Sequence, residues 1–204
     1  MTSRPDVQKT LARLKDFQKR SAEYVFRRLY LDEDRVDHFL LADEVGLGKT
    51  LVARGVIARA VDHIWESVER IDVVYICSNS DIARQNVTRL RLEGQDDFAF
   101  ASRLTLLPLH TRDLASRKLN FVSFTPGTSF ELGSRGGIVE ERALLYYLLK
   151  ELWGLKGAAP RNLLQGGAGK QSWRNYLRWF GKERRPKIDL KLIYDSAPAV
   201  KKKK

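Results

Sequence analysis

A short glycine-rich segment constrains this chain more than any other part of its sequence. The segment "VGLGKT" (45–50) follows the apolar run "HFLLA" (38–42) and precedes a helical pattern that begins at Lys49. Glycines allow backbone N–H groups to turn towards an oxyanion, and the N-terminus of the following helix adds a partial positive charge. A strand, a glycine loop and a helix in this order therefore predict a phosphate-binding loop.

Two side chains at the end of this loop carry the expected chemistry. Lys49 can reach the β- and γ-phosphates of a nucleotide, and the hydroxyl of Thr50 can bind Mg²⁺. The eight-residue form of the motif has a glycine where this chain has Asp43, so the match is limited to residues 46–50. The alternative is an ordinary surface loop.

The remaining pattern alternates strands with helices, which predicts an α/β fold with a mostly parallel sheet flanked by helices. We expect strands over 38–42, 72–78, 103–109 and 119–126, and helices over 5–31, 49–70, 80–92 and 137–154, the last closed by Gly154.

Charge is distributed unevenly along the 204 residues, which carry a net charge of +12. Residues 151–204 hold 14 Lys or Arg against 4 Asp or Glu, which predicts a basic, partly flexible extension. Such a segment either faces nucleic acid or is a tail that does not pack. Cys77 is the single cysteine, which excludes a disulfide framework and favours a reducing compartment. No apolar run is long enough to cross a membrane, and we expect a cytoplasmic protein without a membrane partner.

The loop in its context, "LADEVGLGKT" (41–50), closely resembles motif I of the superfamily-two helicases, in particular the Swi/Snf-type DNA translocases, whose loop opens with Ala-Asp-Glu. Upstream, "LKDFQKR" places Gln18 where such motors keep a glutamine that reads the adenine. Downstream, "YICSNSDIARQNVTRL" (75–90) is similar to motif Ia, and "SFTPGTSF" (123–130) is similar to the Thr-Pro-Gly motif that contacts the tracked strand. Bacterial helicase-like proteins associated with phage defence contain similar sequences, including one that resembles the helix over 137–154.

This resemblance implies a partial RecA-like lobe over residues 37–154, preceded by a helical segment over 1–36 and followed by the extension over 155–204. It implies ATP and Mg²⁺ as cofactors, with DNA expected over RNA as the partner, and with further helicase lobes or defence-system subunits as other partners. The implied nucleotide contacts are Gln18, Glu44, Val45, Gly46, Leu47, Gly48, Lys49 and Thr50. The implied contacts to nucleic acid are Ser78, Asn79, Arg84, Thr125, Gly127, Thr128 and Ser129.

Both sets have simpler interpretations. Gln18 fits an exposed helix position, because glutamine is mostly found at protein surfaces. The Pro-Gly pair at 126–127 fits an ordinary turn at the end of a strand. A second glycine string, "GGAGKQ" (166–171), has Gln171 where Ser or Thr would be needed, and we predict a flexible loop there.

Hydrolysis requires an acidic strand that positions Mg²⁺ and water, and an arginine from a second lobe. The apolar run that ends at Asp195 is followed by Ser196 rather than by a second acid, so Asp195 is a poor match. We therefore expect the chain to be an incomplete lobe that binds nucleotide weakly and hydrolyses it hardly at all.

The stretch "KQSWRNYLRWFGKERRPK" (170–187) has two interpretations. Its seven basic and four aromatic residues suit a platform for nucleic acid, with direct contacts from Arg174, Arg178, Arg184 and Arg185. The same spacing suits an amphipathic helix whose aromatic residues pack inward.

Three functions remain open from the sequence. The first is the ATP-binding part of a nucleic-acid helicase or translocase. The second is a non-catalytic nucleotide-binding module that switches shape or recruits a partner. The third is a basic, nucleic-acid-binding remnant of a larger protein.

Overall fold

Helices and one small parallel sheet make up the described part of the protein, which confirms the predicted mixture of α and β structure. The structure is a computed structural model that describes residues 4–44, 46–94, 104–125, 137–184 and 188–196. The chain divides into two compact units: unit 1 is Met1–Phe100 with Arg117–Phe124, and unit 2 is Ala101–Ser116 with Thr125–Lys204.

Unit 1 contains the glycine loop. Its elements are α1 (Val7–Ala12), α2 (Asp16–Tyr30), α3 (Lys49–Ile64), β1 (Ile71–Ile76), α4 (Ser80–Leu90) and β2 (Leu119–Phe124). The single helix predicted over 5–31 is two helices: α1 ends at Ala12, and α2 begins after Lys15, which has an extended backbone. The predicted strands over 72–78 and 119–126 and the helix over 80–92 are confirmed, with ends that differ by one or two residues.

The sheet has two parallel strands among the described residues. Ile71 pairs with Leu119 and the register continues to Ile76 opposite Phe124. Side chains alternate across a strand, so Val73 and Tyr75 share the face on which Ile71 joins the core. That core also contains residues from α1, α3 and α4, and it packs the helices against this face of the sheet.

The strand predicted over 38–42 is absent. Residues 38–44 have no regular secondary structure, and Leu40 is 85% exposed. A strand is stabilised by hydrogen bonds to a neighbouring strand, and no described segment pairs with this run. The apolar composition of the run is real, but composition alone does not supply a pairing partner.

Glu93 ties α1 to the rest of unit 1. Its carboxylate accepts hydrogen bonds or ion pairs from Arg54 at 2.7 Å and from Arg13 at 2.8 Å. Its backbone carbonyl accepts from the Asp6 N–H at 2.8 Å, and its own N–H donates to the Thr10 hydroxyl at 3.0 Å. Arg54 and Glu93 are both largely buried, so loss of either partner would leave a poorly solvated charge.

Unit 2 is helical in its described part. Its elements are a 3₁₀ helix (Leu104–His110), α5 (Thr111–Ala115), α6 (Val139–Trp153), α7 (Ala159–Gln165), α8 (Lys170–Trp179), a π-helical segment (Phe180–Arg184) and α9 (Leu190–Ser196). The strand predicted over 103–109 is wrong: the segment contains Pro108, which cannot donate to a strand ladder. Gly154 has a left-handed backbone after α6, as predicted for a C-cap.

The segment after Gly154 is more ordered than the predicted extension. Residues 159–165 of this segment form α7, which begins with proline in its first turn. Trp173 on α8 and Phe180 are completely buried and share one core with Tyr146 and Tyr147 on α6. This core includes helices from both sides of residue 154.

Candidate nucleotide-binding site

Two glycines give the loop before α3 its shape. Gly46 has φ +94° and Gly48 has φ +82°, a region that residues with a Cβ atom rarely adopt. Gly48 is the N-cap of α3, and a Cβ atom there would lie 2.6 Å from Nε2 of Gln18. Glycine is therefore favoured at position 48 by its backbone conformation, and a Cβ atom there would also require the amide of Gln18 to shift.

Gln18 lies directly against this loop. Its side chain is buried, with 4% exposed, and its Nε2 donates to the carbonyl oxygen of Leu47 at 3.1 Å. Its Oε1 accepts from the backbone N–H of Lys15 at 3.1 Å, which orients the amide at the start of α2. A primary amide has two N–H groups and two acceptor positions, so one of each remains for a further contact. The interpretation of Gln18 as an exposed helix residue is wrong.

Lys49 folds back over the loop. Its ammonium donates to the carbonyl oxygen of Asp43 at 2.7 Å and to that of Glu44 at 3.0 Å. An ammonium has three donors, and both acceptors here are neutral carbonyls. A phosphate oxygen would form a stronger, charge-assisted hydrogen bond with the same group.

The N-terminus of α3 is open to an anion. No side chain caps it, and its first turn contains no acidic residue. The N–H groups of Leu51 and Val52 bond to the carbonyl of Gly48, so those of Lys49 and Thr50 come before the first intrahelical bonds. α3 is 16 residues long, and its dipole places partial positive charge at this end.

The residues present fit the phosphates of a nucleotide and one contact to Mg²⁺. Thr50 is partly exposed in the first turn of α3, where its hydroxyl can serve as a metal ligand. Mg²⁺ keeps several waters and binds substrate phosphates alongside one or two protein ligands. No group of three or more His, Cys, Asp or Glu side chains in the described residues could hold a metal without a nucleotide. Val45, a predicted contact, lies outside the described residues.

Close packing of α2 against α3 fixes Gln18 relative to the loop. A Cβ atom on Gly55 would lie 2.8 Å from both the Cβ of Ala22 and a methyl of Leu14, so glycine allows the two helices to approach. Arg59 on α3 bonds the carboxylate of Glu23 on α2 through two nitrogens, at 2.9 and 3.1 Å. Sequence reasoning missed Gly55, although a glycine inside a predicted helix was a usable signal.

The chain enters the loop from a turn held by Arg28. Its guanidinium donates to Asp34 at 2.8 Å and to Asp32 at 3.2 Å. The hydrogen bond from Arg28 lowers the pKa of Asp34 below its ordinary value of 3.8. Both groups are near the surface, so water and salt screen this pair.

The residues near β1 that were predicted to contact nucleic acid differ in their exposure and in their hydrogen bonds within the protein. Ser78 is exposed after β1, and Asn79 caps α4 by accepting from the N–H groups of Asp81 and Ile82, at 2.8 and 3.1 Å. Arg84 is exposed on α4. The amide of Asn79 retains its two N–H donors for a phosphate.

The contacts predicted near β2 and in unit 2 are less uniform. Thr125 is 1% exposed, so a phosphate contact there would require the residues around it to move. Gly127, Thr128 and Ser129 lie outside the described residues. Arg174 and Arg178 are exposed on α8, whereas the side chains of Arg184 and Arg185 are not described.

Comparisons with protein-family models, with curated proteins and with solved structures give no match to this chain. Among the described residues, no helix combines the length and the apolar character that crossing a bilayer requires.

Proposed function

We propose that this chain binds MgATP at the loop formed by residues 43–50, as the nucleotide-binding part of an ATP-dependent nucleic-acid helicase or translocase in the cytoplasm. The lobe is proposed to be RecA-like. The observation that carries this proposal is the contact of Gln18 with Leu47, 29 residues along the chain, beside the left-handed Gly48. An ordinary surface loop does not account for a buried amide that holds the loop backbone in this conformation.

Each group in the site has a proposed role. The open N–H groups of α3 and the ammonium of Lys49 bind the phosphates, and Thr50 binds Mg²⁺ together with phosphate oxygens. The remaining N–H and acceptor of Gln18 suit the N6 and N7 edge of adenine. Because Gln18 is 4% exposed, this contact requires the residues around the amide to move, as at Thr125. Thr50 would help to hold Mg²⁺, which when bound would neutralise charge on the phosphates.

The proposed partner is nucleic acid, with DNA expected over RNA. Ser78, Asn79 and Arg84 lie where β1 leads into α4, and contacts from such turns to phosphates position a strand without reading its bases. Hydrolysis also needs an acid that orients water and an arginine that stabilises the transition state. We assign neither to the described residues, and we propose that further helicase lobes or defence-system subunits supply them.

Calorimetry with a series of Mg-nucleotides tests the proposal. A loop that holds β- and γ-phosphates should bind ATP and ADP. It should bind AMP at least about tenfold more weakly, because AMP lacks the phosphates that form the main charge-assisted hydrogen bonds. Equal affinity for the three nucleotides, or no binding to the folded protein, would overturn the assignment. Binding of ATP without phosphate release, even with DNA and a complete second lobe present, would favour the non-catalytic module.

A further inference from the structure

A row of exposed cations runs along α8. Lys170, Arg174, Arg178 and Lys182 follow one another at intervals of four residues, and Lys182 extends the row into the π-helical segment. Four residues advance an α-helix by roughly 6 Å, so these charges form an extended line rather than a cluster. None of the four forms an ion pair with a described residue.

A groove lies beside this row, between α8 and the start of α6. It has a volume of about 660 Å³, and its lining residues are Glu140, Ser172, Asn175, Tyr176, Arg178 and Trp179. The rings of Tyr176 and Trp179 are partly exposed, with centroids 6.2 Å apart in an edge-to-face arrangement. The groove thus combines aromatic surface with hydrogen-bonding side chains and borders the row at Arg178.

The inner face of α8 already has a structural role. Trp173 and Phe180 are completely buried in the core of unit 2. A helix that binds a membrane surface must insert its apolar face into the lipid, and α8 cannot do so without unfolding this core. The row and groove therefore suit a soluble anionic partner.

We infer that the row and the groove of α8 together bind single-stranded nucleic acid. Phosphates follow the row, and bases enter the groove, where they stack on Tyr176 and Trp179. An acidic polypeptide would have no comparable use for the rings. All these residues belong to unit 2, so the inference is independent of nucleotide binding at the loop.

Fluorescence anisotropy with a labelled oligothymidylate and the full chain, without nucleotide, tests the row. Affinity should fall steeply with salt, and Lys182→Ala should reduce the slope of log affinity against log salt by about 0.7, because one phosphate is no longer neutralised. Lys150→Ala is the matched control, because Lys150 is exposed on α6 and lies outside the groove. If Lys182→Ala and Lys150→Ala change the salt slope equally, the row does not form a specific path for the phosphates of the nucleic acid, and the inference is overturned.

The aromatic variants test the groove. Trp179→Leu should weaken binding of the single strand roughly tenfold, whereas Trp179→Phe should retain most of the affinity because a ring remains for stacking. Trp153→Leu, at an exposed tryptophan that does not line the groove, should have no effect. Circular dichroism checks that each variant is folded. Loss of affinity in a folded Trp179→Phe equal to that of Trp179→Leu would overturn stacking.

Three further outcomes separate this inference from its competitors. Duplex DNA bound as tightly as the single strand, or anionic lipid vesicles bound in preference to it, would overturn the inference. Lys49→Ala should bind the oligonucleotide normally, so failure of the loop as a nucleotide site leaves this result unchanged.

Discussion

Two loops of this chain look alike in sequence and differ in structure. In each, a glycine directly precedes a lysine that begins a helix: Gly48 and Lys49 before α3, and Gly169 and Lys170 before α8. A glutamine amide also supports each loop, since Gln18 donates to Leu47 and Gln165 donates to Ala168 at 3.2 Å.

The difference lies in the backbone and in the lysine. Gly48 has φ +82°, whereas Gly169 has φ −58° and could carry a Cβ atom without meeting any atom within 4 Å. Lys49 folds back onto the carbonyls of its own loop, whereas Lys170 is exposed in the row along α8. A glycine and a lysine in sequence are thus insufficient for a phosphate loop; the loop must also turn its N–H groups and its lysine towards one point.

The largest expected effect is the loss of nucleotide binding in Lys49→Ala. Removal of a charge-assisted hydrogen bond to phosphate should weaken MgATP binding roughly a hundredfold, to the point where calorimetry detects none. Lys170→Ala removes the same charge from the other loop and should bind MgATP normally. If both variants bind MgATP as well as the original chain does, the two loops do not differ in this function.

The next largest effect is a difference in stability between alanine substitutions at Gly48 and at Gly169. Gly48→Ala should lower the free energy of unfolding by about 1–3 kcal/mol, because of its positive φ and the close approach of Gln18. Gly169→Ala should change it by less than about 0.5 kcal/mol. Urea denaturation measures both, and a Gly48→Ala protein as stable as the original would contradict the geometry of the first loop.

Gly46→Ala adds a control for strain alone. Gly46 has φ +94°, but no atom lies within 4 Å of the position that a methyl group would take there, so its substitution introduces strain without a collision. It should destabilise the protein by about 1 kcal/mol, less than Gly48→Ala. If the two variants lose equal stability, the close approach of Gln18 contributes nothing.

The two glutamines give a smaller contrast in binding. Gln18→Ala should weaken MgATP binding by about tenfold and reduce the preference for ATP over GTP, because the amide both supports the loop and faces the proposed base. Gln165→Ala should alter neither value. Competition calorimetry with the two nucleotides measures the preference, and an unchanged preference in Gln18→Ala would remove Gln18 from the base site.

The smallest expected effect concerns pH. Because Arg28 lowers the pKa of Asp34, the pair contributes stability above the ordinary aspartate pKa of 3.8, and this contribution disappears as pH falls through the lowered pKa. Asp34→Asn should therefore slightly reduce the thermal midpoint at neutral pH and have no effect in strong acid. The second loop is held by Arg142 on a carbonyl of Gln165, and Arg142→Ala should show no such dependence. Equal thermal midpoints for Asp34→Asn and the original chain at every pH would contradict a contribution from this pair.

Local patterns predicted several elements well. The strand β1 and the glycine after α6 are set by residues close in sequence, and they are found where expected. The run over 38–42 failed because a strand depends on a distant neighbour that its own sequence does not specify. The run over 103–109 failed because its apolar residues suited a strand, whereas Pro108 did not.

The candidate site was predictable only in part. Glycine spacing located the loop, but neither periodicity nor composition shows that Gln18 contacts Leu47. The resemblance to helicases implied Gln18 only as a contact to adenine. The close approach at Gly55 depends on the shapes of two helices together. For α8, the sequence left two interpretations open. Trp173 and Phe180 pack inward, as an amphipathic helix predicts, and contact of the exposed basic residues with nucleic acid stays a prediction.

The parallel pairing of β1 with β2 has a consequence for the order in which the protein acquires its structure. Asp72 and Asn120, which bond across the two strands, are 48 residues apart, and the 3₁₀ helix and α5 of unit 2 lie within that interval. Contacts between α2 and α3 are more local and should form sooner. During synthesis, the loop and its glutamine should therefore be in place before the sheet is complete, which would allow a nucleotide to bind to a partly folded nascent chain.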